Sequence, residues 1–188
     1  MAKKLRVAII GYGFMGRVHS NAYRKVQNFF DLEYQPVMQV ASARKMDQLS
    51  AFTTKWGWKE SDTNWRQVVK RPDIDLVDIC APNNTHLEIA KAAAAAGKMI
   101  ACEKPLAMNA SEGRQLVEAV SATGKPNMVW FNYRRVPAIA LAKQIIDEGR
   151  IGRVYHYRAR YLQDWTMNPD LPQGGKDLWR LDKSISGS

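Results

Sequence analysis

Residues 1–133 of this 188-residue chain are predicted to fold as an α/β, doubly wound domain, and three observations predict it. Short apolar runs alternate with stretches of helical spacing, the pattern of a parallel sheet covered on both faces. The first run ends in a glycine-rich turn, Gly11 to Gly16, directly before a helical stretch. Near Arg134 the alternation gives way to one further helix and then a long run of period two.

Leu5 to Ile10 reads as the first strand, and Met15, Val18, Ala22, Val26, Phe29 and Phe30 then recur at helical spacing. Val37 to Ala41 is the second strand. Leu49, Phe52 and Trp56 mark one face of a second helix, and Trp65, Val68 and Val69 mark a short third, closed by Pro72. Leu76 to Cys80 is a buried strand. Thr85 and Glu88 have the spacing of a capping box, so a helix is expected to open there and to stop at Gly97. The alanines Ala92 to Ala96 lack bulk and suit a close approach to a sheet. Met99 to Cys102 is the next strand. A helix with Leu116, Val117 and Val120 inward ends at Gly124, and Met128 to Tyr133 closes the set.

Residues 134–188 read as the start of a second, α+β domain with an open sheet. Pro137 opens a helix carrying Ile139, Ala142, Ile145 and Ile146, which ends at Gly149. From Val154 to Gln163 strict alternation predicts a strand, with Tyr155, Tyr157, Ala159 and Tyr161 on one face. After Trp165 the chain is rich in Pro, Gly and Asp and reads as loop.

Composition narrows the function classes. The chain is 46% hydrophobic and 24% charged, which excludes collagen-like, disordered and disulfide-scaffold proteins. No apolar run approaches the roughly 20 residues of a membrane span, so no membrane partner is expected. The net charge is +10, from 28 Lys+Arg against 18 Asp+Glu, which favours anionic partners. The basic residues are dispersed and form no nucleic-acid module, so nucleic acid is not expected as a partner. Two cysteines, Cys80 and Cys102, lie in apolar segments and read as free thiols. The apolar stretch Val7 to Ile10 is too short for a signal-peptide core, and a cytoplasmic location is expected. His19, His86 and His156 have no companions at metal-ligand spacing, and no metal is expected.

The glycine turn carries the chemistry. GxGxxG between a strand and a helix is a dinucleotide fingerprint. Gly11 allows the tight turn, Gly13 lets a pyrophosphate approach the backbone, and Gly16 lets helix and strand pack closely. Phe14 and Met15 sit at the helix start, where unpaired N–H groups attract anions. An NAD site usually places a carboxylate after the second strand, but here the sequence runs Ser42-Ala43-Arg44-Lys45. Arg44 can fork onto a 2′-phosphate, Lys45 adds charge and Ser42 can donate a hydrogen bond. NADP is therefore expected, with NAD as the alternative. Ala81, Pro82, Asn83 and His86 follow the strand at Cys80, where a loop borders the cofactor crevice; Asn83 and His86 could meet ribose or nicotinamide. Glu103, Lys104 and Pro105 close the next strand. A lysine there can polarise or protonate a substrate oxygen, and Pro105 restricts the peptide before it.

Together these segments resemble the glucose–fructose oxidoreductase/inositol dehydrogenase family, Gfo/Idh/MocA. The resemblance rests on GxGxxGxxH from Gly11 to His19, the APNNTH loop from Ala81 to His86 and CEKPLA from Cys102 to Ala107. Phe131 to Ala138 and Glu148 to Gly152 fit the same pattern. The family implies a Rossmann domain followed by a domain on a large, mostly antiparallel sheet. It also implies hydride transfer between a nicotinamide cofactor and sugars, polyols or inositol-like hydroxyl compounds. Lys104 matches the family's active-site lysine, and Tyr161, Gln163 and Trp165 match substrate contacts of sugar-active members. Family members continue past a Gly-Ser stretch into an aspartate and a histidine that complete the catalytic trio. This chain ends at Ser188, so a partial, catalytically incomplete chain is expected. An uncovered aromatic strand at 154–163 would invite a homo-oligomer. The competing expectation is a non-catalytic dinucleotide-binding regulator or sensor, which would make no use of Lys104.

Overall fold

A computed structural model describes residues 2–164 and 179–187. The chain divides into two compact units. The first comprises the residues up to Trp130 together with those from Ser184 onward, and the second spans Phe131–Lys183.

The first unit is built on β1 (Lys3–Ile10), α1 (Phe14–Lys25), β2 (Tyr34–Ser42), α2 (Met46–Trp56), β3 (Glu60–Asp62), α3 (Trp65–Val68), β4 (Leu76–Ile79), α4 (His86–Ala95), β5 (Met99–Cys102), α5 (Ala110–Ser121) and β6 (Asn127–Val129). The strands form one parallel sheet in the order β3-β2-β1-β4-β5-β6. That order reverses between β1 and β4, the switch point where α/β sheets open a crevice beyond their carboxyl ends. β2 bulges opposite Val7 and Ala8, so Gln39 is skipped in the ladder.

Strand alternation sends β1 to two cores. Ala8 and Ile10 face one side, with Val40, Val77, Ile79 and Ile100, beneath α3, α4 and α5. Val7 and Ile9 face the other, with Ala41, Leu49, Phe52 and Trp58. The alanine helix α4 packs as expected, with Ala90 and Ala93 fully buried. On β4 the same alternation turns Val77 and Ile79 to the first core, and Leu76, Asp78 and Cys80 to the α1 side.

Several local expectations are corrected. The first helix ends at Lys25, and Val26–Asn28 form a 3-10 turn, so Phe29 and Phe30 lie outside it and are exposed. Val18 is exposed too. Thr85 does not cap α4. Its backbone is already helical after a 3-10 turn at Asn83–Thr85, and its hydroxyl donates to the Pro82 carbonyl at 2.7 Å. Glu88 pairs with Arg66 instead. A reciprocal cap does form at α5: the Glu112 N–H donates to Asn109 Oδ1 at 2.9 Å, and the Met108 N–H donates to the Glu112 carboxylate. The strand expected at Met128 to Tyr133 stops at Val129, and Asn132–Arg135 form a 3-10 turn.

In the second unit, α6 (Pro137–Asp147) starts at the expected proline. The run from Val154 to Gln163 forms no strand. Its alternation is real, but a strand needs a neighbour to take up its N–H and C=O groups, and none is described beside it. Tyr155 and Tyr157 are more than 80% exposed. Among the described residues no helix is long and apolar enough to cross a membrane.

Candidate functional site

The carboxyl ends of β1, β2, β4 and β5 gather the predicted residues of the first unit. Gly11 follows β1 at φ 110°, a conformation that side-chain-bearing residues rarely adopt. A Cβ there would lie 2.6 Å from the Cys80 carbonyl oxygen, so the residue before the APNNTH loop also demands glycine. A Cβ on Gly16 would strike the Gly11 carbonyl oxygen. Gly13 faces open space, leaving room for a ligand against the backbone. Gly13 is also the residue before α1, and no side chain caps that helix or places a carboxylate in its first turn. Phe14 is exposed beside this end and Met15 is half-buried.

Ser42 ends β2 next to the turn, and its carbonyl accepts the Gly11 N–H at 2.8 Å. Its hydroxyl is the one buried side-chain polar atom among the described residues without a hydrogen-bond partner. A buried unpaired hydroxyl costs about 1–3 kcal/mol, which a ligand hydrogen bond would relieve. Arg44 and Lys45 follow, both exposed. Sequence reading missed Asp62. It ends the unexpected strand β3 and is paired in register with Ser42, so a carboxylate does stand near the end of β2. It accepts the Asn64 N–H at 2.7 Å.

The loop after β4 holds Ala81 half-buried against the core, Pro82 exposed, Asn83 buried and His86 fully buried. Asn83 donates to the Ser186 carbonyl at 2.9 Å. The ring nitrogens of His86 lie 3.0 Å from the Pro105 carbonyl and 2.9 Å from the Ala81 carbonyl. The imidazole therefore ties the APNNTH loop to the EKP loop, rather than pointing into the crevice. Lys104 is exposed at the end of β5, and its bond to Pro105 is cis.

Beneath this surface lies a cluster that spacing alone could not show. Asp78 is inaccessible to solvent, and Glu103 and His19 are buried. His19 Nδ1 lies 2.8 Å from Asp78, and Nε2 lies 3.1 Å from Glu103. Tyr23 and the Trp130 indole each donate to Asp78 at 2.9 Å, and the Lys104 N–H donates to Glu103 at 3.1 Å. Burial alone would lower the His19 pKa, but the bonds to Asp78 and Glu103 outweigh it and raise it to about 9. Burial pushes the Cys102 thiol up to about 12 and also raises Cys80 and Tyr23. His19, Asp78 and Cys80 offer ligand-type atoms within 4.8 Å of one another, companions for a histidine that the sequence did not reveal. The imidazole and the carboxylate are already bonded to each other. A signal for the cluster was present in the sequence: an aspartate inside the apolar run Leu76 to Cys80 must find buried partners.

In the second unit Tyr161 shares a hydrogen bond of 2.5 Å with Tyr133, and Gln163 donates to Tyr161 at 3.1 Å. All three are exposed. Trp165 lies outside the described residues.

The strand order, the glycine turn at the switch point and the open helix end define a nucleotide-binding Rossmann domain. The family model described as "Oxidoreductase family, NAD-binding Rossmann fold" matches residues 5–132, and the chain belongs to this Gfo/Idh/MocA family. It is 44% identical over 187 residues to levoglucosan dehydrogenase of Pseudarthrobacter phenanthrenivorans, covering 99% of this chain and 47% of that protein. It is 33% identical over 150 residues to inositol 2-dehydrogenase of Rhizobium meliloti, covering 80% of this chain and 43% of that protein. Among solved structures, levoglucosan dehydrogenase in complex with NADH and levoglucosan superposes with a TM-score of 0.92 at 44% identity, over 99% of this chain and 50% of that one. The chain thus spans about half the length of the relatives it matches.

Proposed function

We propose that this chain is the cofactor-binding part of an NADP-dependent oxidoreductase acting on a sugar, polyol or inositol-like hydroxyl compound. The observation that carries the reading is the juxtaposition at the switch point: the Gly11–Gly16 turn after β1, and Lys104 at the end of β5. The uncapped α1 end and the space at Gly13 fit a pyrophosphate. The orphaned Ser42 hydroxyl fits a ribose oxygen, and Arg44 with Lys45 fits a 2′-phosphate. When bound, a nicotinamide supplies the hydride donor or acceptor. The chain's own part is to hold the dinucleotide by backbone N–H groups and to present the Lys104 ammonium to the reacting oxygen, where it stabilises developing negative charge. Lys104 is the proposed catalytic residue. Residues 134–188 are read as the opening of the substrate domain, with Tyr161, Gln163 and Trp165 as sugar contacts and as part of a surface that pairs copies of the chain. The sugar substrate is supported by the named activities of the relatives, levoglucosan and inositol dehydrogenation. Because the relatives are about twice as long, the 188 residues alone are expected to bind dinucleotide with little turnover. Two free cysteines and no disulfide among the described residues suit a reducing cytoplasm.

NAD is the second reading, favoured by Asp62 in register with Ser42 and by NADH in the similar solved structures. Fluorescence titration with NADPH and NADH separates the two. NADPH is expected to bind more tightly, and Arg44→Asp to weaken it about tenfold while changing NADH about twofold or less. Equal affinities, or tighter NADH, would replace NADP with NAD.

A further inference from the structure

We propose that His19 is a positioning residue: as an imidazolium held between Asp78 and Glu103, it locks the helix of the glycine turn to the strand end that presents Lys104. The proposal rests on the reading that Lys104 serves the reacting oxygen, and it assigns a role to a cluster that reading does not use.

The elements place the three groups by their own periodicities. His19 comes one helical turn after Gly16 near the start of α1, on its buried face. Asp78 lies on β4 with Val77 and Ile79 turned away from α1, so its carboxylate meets that helix. Glu103 follows Cys102, whose side chain fills the opposite core, and so it turns toward α1 as well. A neutral imidazole has one N–H and would leave a lone pair against a buried carboxylate. Only the imidazolium donates to both, at 2.8 and 3.1 Å. The other oxygen of Glu103 accepts the Lys104 N–H, so the orientation of this carboxylate is passed directly to the backbone of the lysine. Asp78 is steadied by Tyr23 and Trp130, and the Trp130 ring meets His19 edge-on at 5.0 Å between centroids.

Among the described residues, the titratable side chains around His19 are Tyr23 from α1, Asp78 and Cys80 from β4 and its end, and Glu103 from the end of β5, with the Cys102 thiol behind them in the opposite core. Burial holds both thiols and the phenol protonated well above neutrality. His19 is therefore the group of this cluster that loses its proton near pH 9. Its loss leaves one of the two carboxylates facing a bare ring nitrogen, which loosens the clamp that holds Glu103 against the Lys104 N–H.

The experiment is an NMR titration of the uniformly ¹⁵N-labelled 188-residue chain between pH 7 and 10.5. The expected result is that both His19 ring nitrogens are protonated at pH 7.5, and that the Lys104 amide resonance shifts with the same midpoint as the His19 ring. His19→Gln is expected to abolish that shared transition. A neutral His19 ring at pH 7.5, or a Lys104 amide that ignores the titration of His19, would overturn the proposal. So would a shared transition that survives in His19→Gln. Should that variant fail to fold, the native titration decides alone. Adding NADPH and then NADH to the same sample separates this idea from the one it rests on. Linked His19 and Lys104 titrations without dinucleotide binding support the clamp and overturn the dinucleotide reading. Bound dinucleotide over a neutral His19 overturns the clamp alone.

Discussion

The two ends of one sheet are built on opposite rules. At the amino ends of the strands, charged side chains are bonded within the fold and little is left open. Arg6 forks onto Asp75 at 2.8 and 2.7 Å, Arg71 joins Asp73 and Glu60, and Lys98 donates to the carbonyls of Arg71 and Ile74. At the carboxyl ends, charge is buried and polar groups are left free. His19 sits between two carboxylates, Ser42 has an unpaired hydroxyl, and α1 begins without a cap. The amino end closes the fold. The carboxyl end holds hydrogen-bonding capacity that folding alone does not use, which is what a ligand site requires.

The largest expected effect breaks the carboxyl end without touching the other. Gly16→Val would drive a branched side chain into the Gly11 carbonyl. It is expected to destabilise by about 3 kcal/mol and to abolish dinucleotide binding, checked by urea denaturation and fluorescence titration.

Next, pH separates the ends. His19 is raised from 6.5 to about 9, so its stabilisation is complete below pH 6.5 and is lost as pH rises through 9. That loss is on the order of 3 kcal/mol. Hydrogen bonding to Arg71 lowers Asp73 from 3.8 to about 2, so its stabilisation is present above 3.8 and fades as pH falls through 2. Solvent screens that partly exposed pair, and the acid effect is expected to stay within about 1 kcal/mol. Urea midpoints are expected to fall between pH 7 and 10 as His19 loses its proton. His19→Gln should flatten the alkaline limb alone.

The smallest effect concerns two helix starts. Asn109→Ala removes a true cap from α5 and should cost about 1 kcal/mol. Thr85→Ala removes only a turn hydrogen bond and should cost about half that or less. Equal losses in thermal denaturation would mean that Thr85 caps α4 after all.

The legible parts of this molecule are those where one residue type answers one local demand. Gly11 and Gly16 had to be glycine for backbone reasons, and alternation of apolar runs set the strands and the two cores. The illegible parts depend on what lies opposite. Thr85 and Glu88 have a cap's spacing, but a 3-10 turn makes Thr85 helical and its hydroxyl turns elsewhere. The run from Val154 to Gln163 has a strand's pattern and no strand beside it among the described residues. Asp62 lay 20 residues beyond Ser42, and only the pairing of β2 with β3 brings them level. His19, Asp78 and Glu103 are far apart in sequence and meet because three elements each turn one residue to the same side. Local chemistry therefore read the outline of the carboxyl end, while the buried cluster beneath it needed the fold.

If the carboxyl end is a dinucleotide site held open by folding, the native 188-residue chain should bind NADPH or NADH when titrated with each, following nicotinamide fluorescence, with circular dichroism on the same sample. Saturable binding with one dinucleotide per chain is expected. A folded chain that binds neither would contradict it.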